Sequence, residues 1–304
     1  MDDTNFTYSA SSLKSMDTCG YKFYLSKVER LARTDTSSHH AFLGLVVHNA
    51  IYTAFATYGE DKKSWTLLND APDFMRSYDF FDAAWSENPA TDEFKYIIDN
   101  DVSKKPDVFW KKLKIDTLAS TDNVQLEDSW REHANMMMLN GVDMITDVNI
   151  VELEREVRFT LMGKNFLGFI DILAKDKDGK LCFYDLKTTW DKPTAGKLSK
   201  DLQFILYSAA LKQLHNLDYY PKGYWCHLKT KEFVEFAMTT EIRRDSSHKL
   251  QKLFDMIENN DFIKATHLKN SLCPYCEYFS HCYGDKHTAV ARKSFLNDES
   301  KPLE

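Results

Sequence analysis

No apolar run in this sequence approaches the roughly 20 residues that a membrane-spanning helix needs, so no helical membrane span is expected. The opening segment MDDTNFTYSASSLKS lacks a basic stretch followed by an apolar one, so no secretory signal is expected. The default compartment is the cytoplasm, where thiols stay reduced. An excess of positive charge is also missing, since the formal net charge is -7. Nucleic-acid binders often carry a basic balance, which counts mildly against DNA as a partner. It does not exclude DNA, because a metal site contributes carboxylates by itself and a local basic strip can coexist with an acidic whole. There is no GxxxxGK[ST] phosphate loop, so any motor activity would reside in a separate subunit. Internal repeats and low-complexity tracts are absent as well.

What is present fits a soluble globular protein: 304 residues, 43% hydrophobic and 28% charged. That length allows one large domain or two small ones, and 20 Phe, 15 Tyr and 6 Trp argue for a substantial core. Residues 8–30 open with serines suited to capping a helix. Phe42–Gly59 is too densely apolar for an exposed helix and reads as a buried one. From about 60 to 148 the pattern is helical, polar and irregular, with Met136–Leu139 expected to pack in the core. The period then changes. VELEREVRFTLM reads as a strand, and FLGFIDILAKDKDGKLCFYDLKTT reads as a hairpin turning at Asp178-Gly179. DLQFILYSAALKQL follows as an amphipathic helix, GYWCHLKT and EFVEFAMTT as strands, and about 241–259 as a helix. The tail beyond about 290 is polar.

Asp185 and Lys187 stand two apart on a strand, which puts both on one face. Asp171 lies on the preceding strand, and its face depends on the turn. A strict two-residue loop pairs 171 with 186 and separates the two carboxylates. A loop with an odd number of residues pairs 171 with 185 and brings them together. Two carboxylates on adjacent strands can hold Mg²⁺ or Mn²⁺. Such an ion activates water and polarises a phosphodiester, and a neighbouring lysine can orient that water and offset developing charge. On its own a D-x-K string is most often a surface ion pair, so it gains meaning only from companions.

Those companions are Gly44-x-x-x-His48 on the early helix, Gly168-x-x-Asp171, Asp185-x-Lys187, and Gln203-x-x-x-Tyr207, whose spacing puts both side chains on one helix face. This ordered set resembles the RecB-like branch of the PD-(D/E)XK nucleases. The resemblance implies that His48, Asp171 and Asp185 ligate Mg²⁺ or Mn²⁺. It makes Lys187 the catalytic lysine and gives Gln203 and Tyr207 the role of positioning the lysine or the nucleic acid. Asp185 stands where Glu is usual. Glu156, at the start of a strand, is a candidate additional active-site carboxylate.

Of six cysteines, Cys273, Cys276 and Cys282 form C-x2-C-x5-C, a spacing that lets three thiolates share one metal centre, with Cys19 the natural fourth ligand. Four thiolates also suit Zn²⁺. One early cysteine plus a late trio resembles the iron–sulfur nucleases, among them AddB-type helicase–nucleases and CRISPR-associated adaptation nucleases. There the cluster, usually 4Fe–4S, joins the two ends of the chain. The family commonly has Cys-Pro at the first position, where this chain has Cys19-Gly20. Cys182 and Cys226 fall on strands and read as small core residues. Tyr21, Lys22, Phe23 and Tyr24 either stack on bases and contact phosphate or pack around the cluster.

The resemblance thus implies an α/β restriction-endonuclease-like fold: a mixed β-sheet core flanked by helices, with a helical insertion and a cysteine-ligated cluster joining the terminal segments. The expected organisation is one nuclease domain: N-terminal helices in 1–59, the insertion in 60–148, the core in 149–260, the cysteine cluster in 261–290 and a tail in 291–304. The implied function is a Mg²⁺- or Mn²⁺-dependent DNA exonuclease acting on single strands or ends in the cytoplasm of a bacterial or phage-infected cell, with homo-oligomerisation open. The alternatives are a non-enzymatic DNA-end-binding scaffold and an end-processing subunit working with a helicase or a CRISPR integrase.

Overall fold

Serine capping starts the first helix. In the computed structural model, which describes residues 6–31, 39–59, 64–86, 89–100, 123–189, 191–264, 273, 276–278 and 281–282, a two-residue strand β1 (Thr7–Tyr8) leads into α1 (Ala10–Thr18). Ser9 caps it reciprocally with Ser12: the Ser9 hydroxyl accepts from Ser12 N at 3.1 Å and Ser12 Oγ accepts from Ser9 N at 2.9 Å. The described elements that follow are α2 (Gly20–Phe23), running into a π-turn at Tyr24–Val28, α3 (His39–Phe55), β2 (Ala56–Gly59), β3 (Ser64–Leu67), α4 (Phe74–Ser86), α5 (Asp92–Asn100) and α6 (Asn123–Ile145). Then come β4 (Asn149–Leu161), β5 (Lys164–Lys175), β6 (Leu181–Lys187), α7 (Ala195–Leu198), α8 (Leu202–Leu214), β7 (Lys222–His227), β8 (Glu232–Phe236) and α9 (Thr240–Glu258).

The chain divides into two compact units, residues 1–36 with 244–304 and residues 37–243. In the first, Leu13, Met16 and Phe23 are buried together with Leu250, Leu253 and Phe254. Gly20 lets α2 approach the backbone at Phe262–Ile263: a Cβ there would lie 2.9 Å from Ile263 N. Lys22 pairs with Glu277 at 2.8 Å, Tyr21 and Tyr24 stack at 5.9 Å, and Phe23 is buried.

The second unit holds a mixed sheet. β4, β5 and β6 are antiparallel neighbours in sequence order, β6 pairs with β7 in parallel, and β7 pairs with β8 antiparallel. The parallel pair requires a crossover, and α8 supplies it. β6 is buried on both faces. Cys182 and Leu186 enter the helical core around α3, whereas Phe183 meets Phe204 of α8 at 5.4 Å. By alternation Asp185 and Lys187 share the α8 face.

Three readings change. Phe42–Gly59 is not all helix, because α3 stops at Phe55 and β2 begins. The 60–148 stretch is not purely helical: β2 and β3 form an antiparallel hairpin with Tyr58 opposite Trp65. Its short, half-buried strands show little of the period-2 apolar pattern that reveals longer ones. α8 is buried on most of its circumference, not amphipathic, since it lies between a sheet and its neighbours. Within Met136–Leu139, Met137 and Met138 are buried, while Met136 and Leu139 are exposed. Residues 101–122 of the insertion and the 291–304 tail lie outside the described residues.

Candidate active site

The β5–β6 turn decides whether the carboxylates meet. Asp176 N donates to Lys180 O at 2.8 Å, so the loop between Asp176 and Lys180 is 177–179, an odd number, and Gly179 N donates to Asp176 O at 3.0 Å within it. Gly179 takes φ +74°, the left-handed position such a turn needs, and the Asp176 carboxylate accepts from Asp178 N and Lys180 N at 2.9 Å each. The ladder runs Ile172 opposite Tyr184 and Leu173 opposite Phe183, which sets Asp171 opposite Asp185. The three-residue turn therefore places both carboxylates on one face.

β4 adds a third acid. Its pairing puts Leu153 opposite Ile172 and Arg155 opposite Ile170, with Glu154 between them facing Asp171. Glu154 has φ +50°, and Tyr52 Oη of α3 donates to its Oε1 at 2.8 Å. His48, one turn before Tyr52, contributes the fourth side chain. Ligand atoms of His48, Glu154 and Asp171 all lie within 4.8 Å of one another, a spacing that can hold a metal ion. His48 Nδ1 is 3.9 Å from Asp171 Oδ2. Glu156 is not part of this group. Its carboxylate is half exposed and accepts from Arg158 Nε at 2.5 Å. The acid at the site is Glu154, which the sequence reading missed. The register of β4 against β5 selects between these two glutamates, and it is not written in the residue pattern.

A second network joins the first. Gln203 Nε2 donates to Asp185 Oδ1 at 2.9 Å, and Lys187 Nζ donates to Gln203 Oε1 at 3.4 Å. Lys187 Nζ also lies 2.7 Å from Asp185 Oδ2 and 5.4 Å from the Trp225 ring centroid. Leu186 N donates to Asp171 Oδ2 at 2.7 Å. Tyr207 Oη donates to Phe169 O at 2.6 Å and accepts from Phe169 N at 3.3 Å, clamping β5 two residues before Asp171. Gly168 makes this clamp possible, because a Cβ there would lie 2.6 Å from Tyr207 Cε1. Gly44 has no comparable demand, its Cβ position being 3.6 Å from Thr188 Oγ1.

Burial sets the charges. It pulls His48 down to about 4, aided by Lys187, leaving a neutral imidazole with a free lone pair. It pushes Asp171 and Asp185 up to about 6; Lys187 opposes both shifts, and Asp171 adds to that of Asp185. For Lys187 burial works downward, but Asp185 and Asp171 outweigh it and hold the ammonium protonated. Two buried carboxylates that resist ionisation beside a neutral histidine form a donor set that a divalent cation would relieve. In the first unit, burial pushes the Cys282 thiol up to about 11, with Cys276, Cys19 and Cys273 each adding to the rise, and burial likewise raises Cys276. Among the described residues, however, the four thiols do not come together at metal-holding spacing, as His48, Glu154 and Asp171 do. Cys182 and Cys226 are buried, as core residues.

No curated protein matches this chain. A crystal structure from Eubacterium rectale, assigned by inference as an exonuclease, superposes with a TM-score of 0.43 at 8% identity, covering 84% of this chain and 82% of that chain. A family profile, the PD-(D/E)XK nuclease superfamily, matches residues 7–283, a span that includes all the site residues named above. The mixed sheet flanked by helices is the restriction-endonuclease-like core expected of that family, and the chain belongs to the PD-(D/E)XK nuclease superfamily.

Proposed function

We propose that this protein is a Mg²⁺- or Mn²⁺-dependent deoxyribonuclease of the RecB-like branch, an exonuclease acting on single-stranded DNA or DNA ends. The observation that carries the reading is the junction of two groups: the His48–Glu154–Asp171 cradle and the Asp185–Lys187–Gln203–Tyr207 network. His48, Glu154, Asp171 and Asp185 would hold the ion. Bound there, a divalent cation polarises the phosphodiester and eases deprotonation of the attacking water. Lys187, already protonated, cannot act as the base; it offsets negative charge as the water oxygen bonds to phosphorus and the ester P–O bond breaks. Gln203 holds both Asp185 and Lys187, fixing the angle between them. Tyr207 locks β5, so Asp171 keeps its place while the phosphate passes.

Cys19, Cys273, Cys276 and Cys282 would carry a 4Fe–4S cluster that ties residue 19 to the late trio and constrains the unfolded chain. Anaerobically purified protein is expected to be brown with broad visible absorbance. Colourless protein with stoichiometric zinc would assign the site to zinc instead. Helicase or integrase subunits would be separate chains.

The test of the enzymatic reading uses end-labelled linear and circular DNA, single- and double-stranded, with Mg²⁺ or Mn²⁺. Wild type should shorten linear single strands and spare circles, and Asp185→Ala should leave both intact. Circles cut as fast as linear strands would reassign the activity to internal cleavage.

A further inference from the structure

Beside the metal cradle is a cavity of about 550 Å³, within the range of ligand-binding sites. It shares His48 and Glu154 with the cradle. Its wall mixes charged side chains with a set of aromatic and apolar ones that catalysis does not explain. Phe169 and Leu45 are both large, exposed apolar side chains, 46% and 39% accessible. Each is tied by its element to a metal-cradle residue: Phe169 lies two residues before Asp171 on β5, and Leu45 lies one helical turn before His48. The back wall is the Tyr58–Trp65 cross-strand pair of the β2–β3 hairpin, with ring centroids 5.1 Å apart. At the rim Glu152 and Glu156 are each held by an arginine, Arg155 and Arg158.

We propose that this cavity is a stacking pocket for one unpaired nucleobase of the substrate strand, with Phe169 as the stacking platform. The idea rests on the nuclease reading and adds the substrate feature that the site recognises. Exposed rings of this kind are worth most against another π-face, and stacking tolerates any base. With the rim glutamates paired to Arg155 and Arg158, Lys187 and a bound cation would draw the backbone while the base turns inward. A base inside a duplex is stacked on both faces and must be extruded before it can enter. The pocket therefore makes an unpaired nucleotide the unit that reaches the reactive centre.

The test is a binding cycle in a Lys187→Ala background, which keeps the strand uncut. A single-stranded oligonucleotide with all its bases and one with abasic terminal positions are each titrated, in Mn²⁺, by protein with Phe169 and with Phe169→Ala. The abasic strand should bind about ten- to a hundredfold more weakly. Phe169→Ala should lose a similar factor on the normal strand and nothing further on the abasic one, and Phe169→Trp should restore binding. Unchanged Mn²⁺ affinity in Phe169→Ala shows that the cradle is intact. Equal affinity for both strands, or losses that simply multiply, overturns the pocket. The readout is binding, so a wild-type protein that cuts no DNA would overturn the nuclease reading and leave this cycle to decide the pocket separately.

Discussion

Gly168 and Tyr207 act as a unit, although the sequence presents them as members of two motifs on two elements. The ring fills the space a side chain at 168 would need, and its hydroxyl holds both backbone groups of Phe169. Gly168→Ala should therefore cost about 1–3 kcal/mol of stability by overpacking. Most of that cost should disappear in a Tyr207→Ala background, which urea unfolding of the single and double variants would reveal. Additive losses would mean the glycine serves another purpose. The two glutamates of β4 separate in the same way. Glu154→Gln should weaken Mn²⁺ binding by about tenfold or more, on the scale of losing a coordinating or supporting group. Glu156→Gln, already paired with Arg158 and half exposed, should leave it within about twofold. Calorimetric titration reads both, and the reverse order would restore Glu156 as the site acid.

The β5–β6 hairpin decides whether Asp171 and Asp185 meet. Asp178-Gly179 marks a turn in the sequence, but residue identities leave its length open between two and three. Asp176 settles it by accepting from 178 N and 180 N, and Gly179 takes the left-handed conformation. Gly179→Ala should cost about 1 kcal/mol in chemical denaturation, the strain of a Cβ at φ +74°. No loss would mean the turn relaxes to another type. The strands β4–β8 and helices α3 and α8 were legible because each is long or strongly apolar, so periodicity stands out. The β2–β3 hairpin was not: four-residue strands with partial burial carry no clear alternation. The motif residues from His48 to Tyr207 could be picked out by type and order, whereas Glu154 belongs to no motif and is placed only by the pairing of β4 with β5.

For the molecule as a whole, the site sets a stability cost that metal should remove. Asp171 and Asp185, raised to about 6, hold their protons more tightly folded than unfolded. The metal-free protein therefore loses their contribution as pH rises from about 4 to about 6. His48, lowered to about 4, binds its proton more weakly folded and works the other way between about 4 and 6.5. Asp185→Asn removes one of the two titrations, so without metal its melting temperature should fall less than that of wild type between pH 4 and pH 7. Mn²⁺ should raise the wild-type melting temperature and leave Asp171→Asn nearly unmoved. A melting curve indifferent to both pH and Mn²⁺ would contradict the charge balance described for the site.

In the proposed reaction the cradle and the Lys187 network together hydrolyse DNA with a divalent ion. Its most direct measurement is the cleavage rate of end-labelled single-stranded DNA by wild type and Lys187→Ala, across a Mn²⁺ titration that begins in chelator. Wild type should be silent in chelator and rise to saturation with Mn²⁺. Lys187→Ala should bind Mn²⁺ as well as wild type yet cut at least about a hundredfold more slowly. Cleavage that persists in chelator, or a Lys187→Ala protein that cuts at the wild-type rate, would contradict the account.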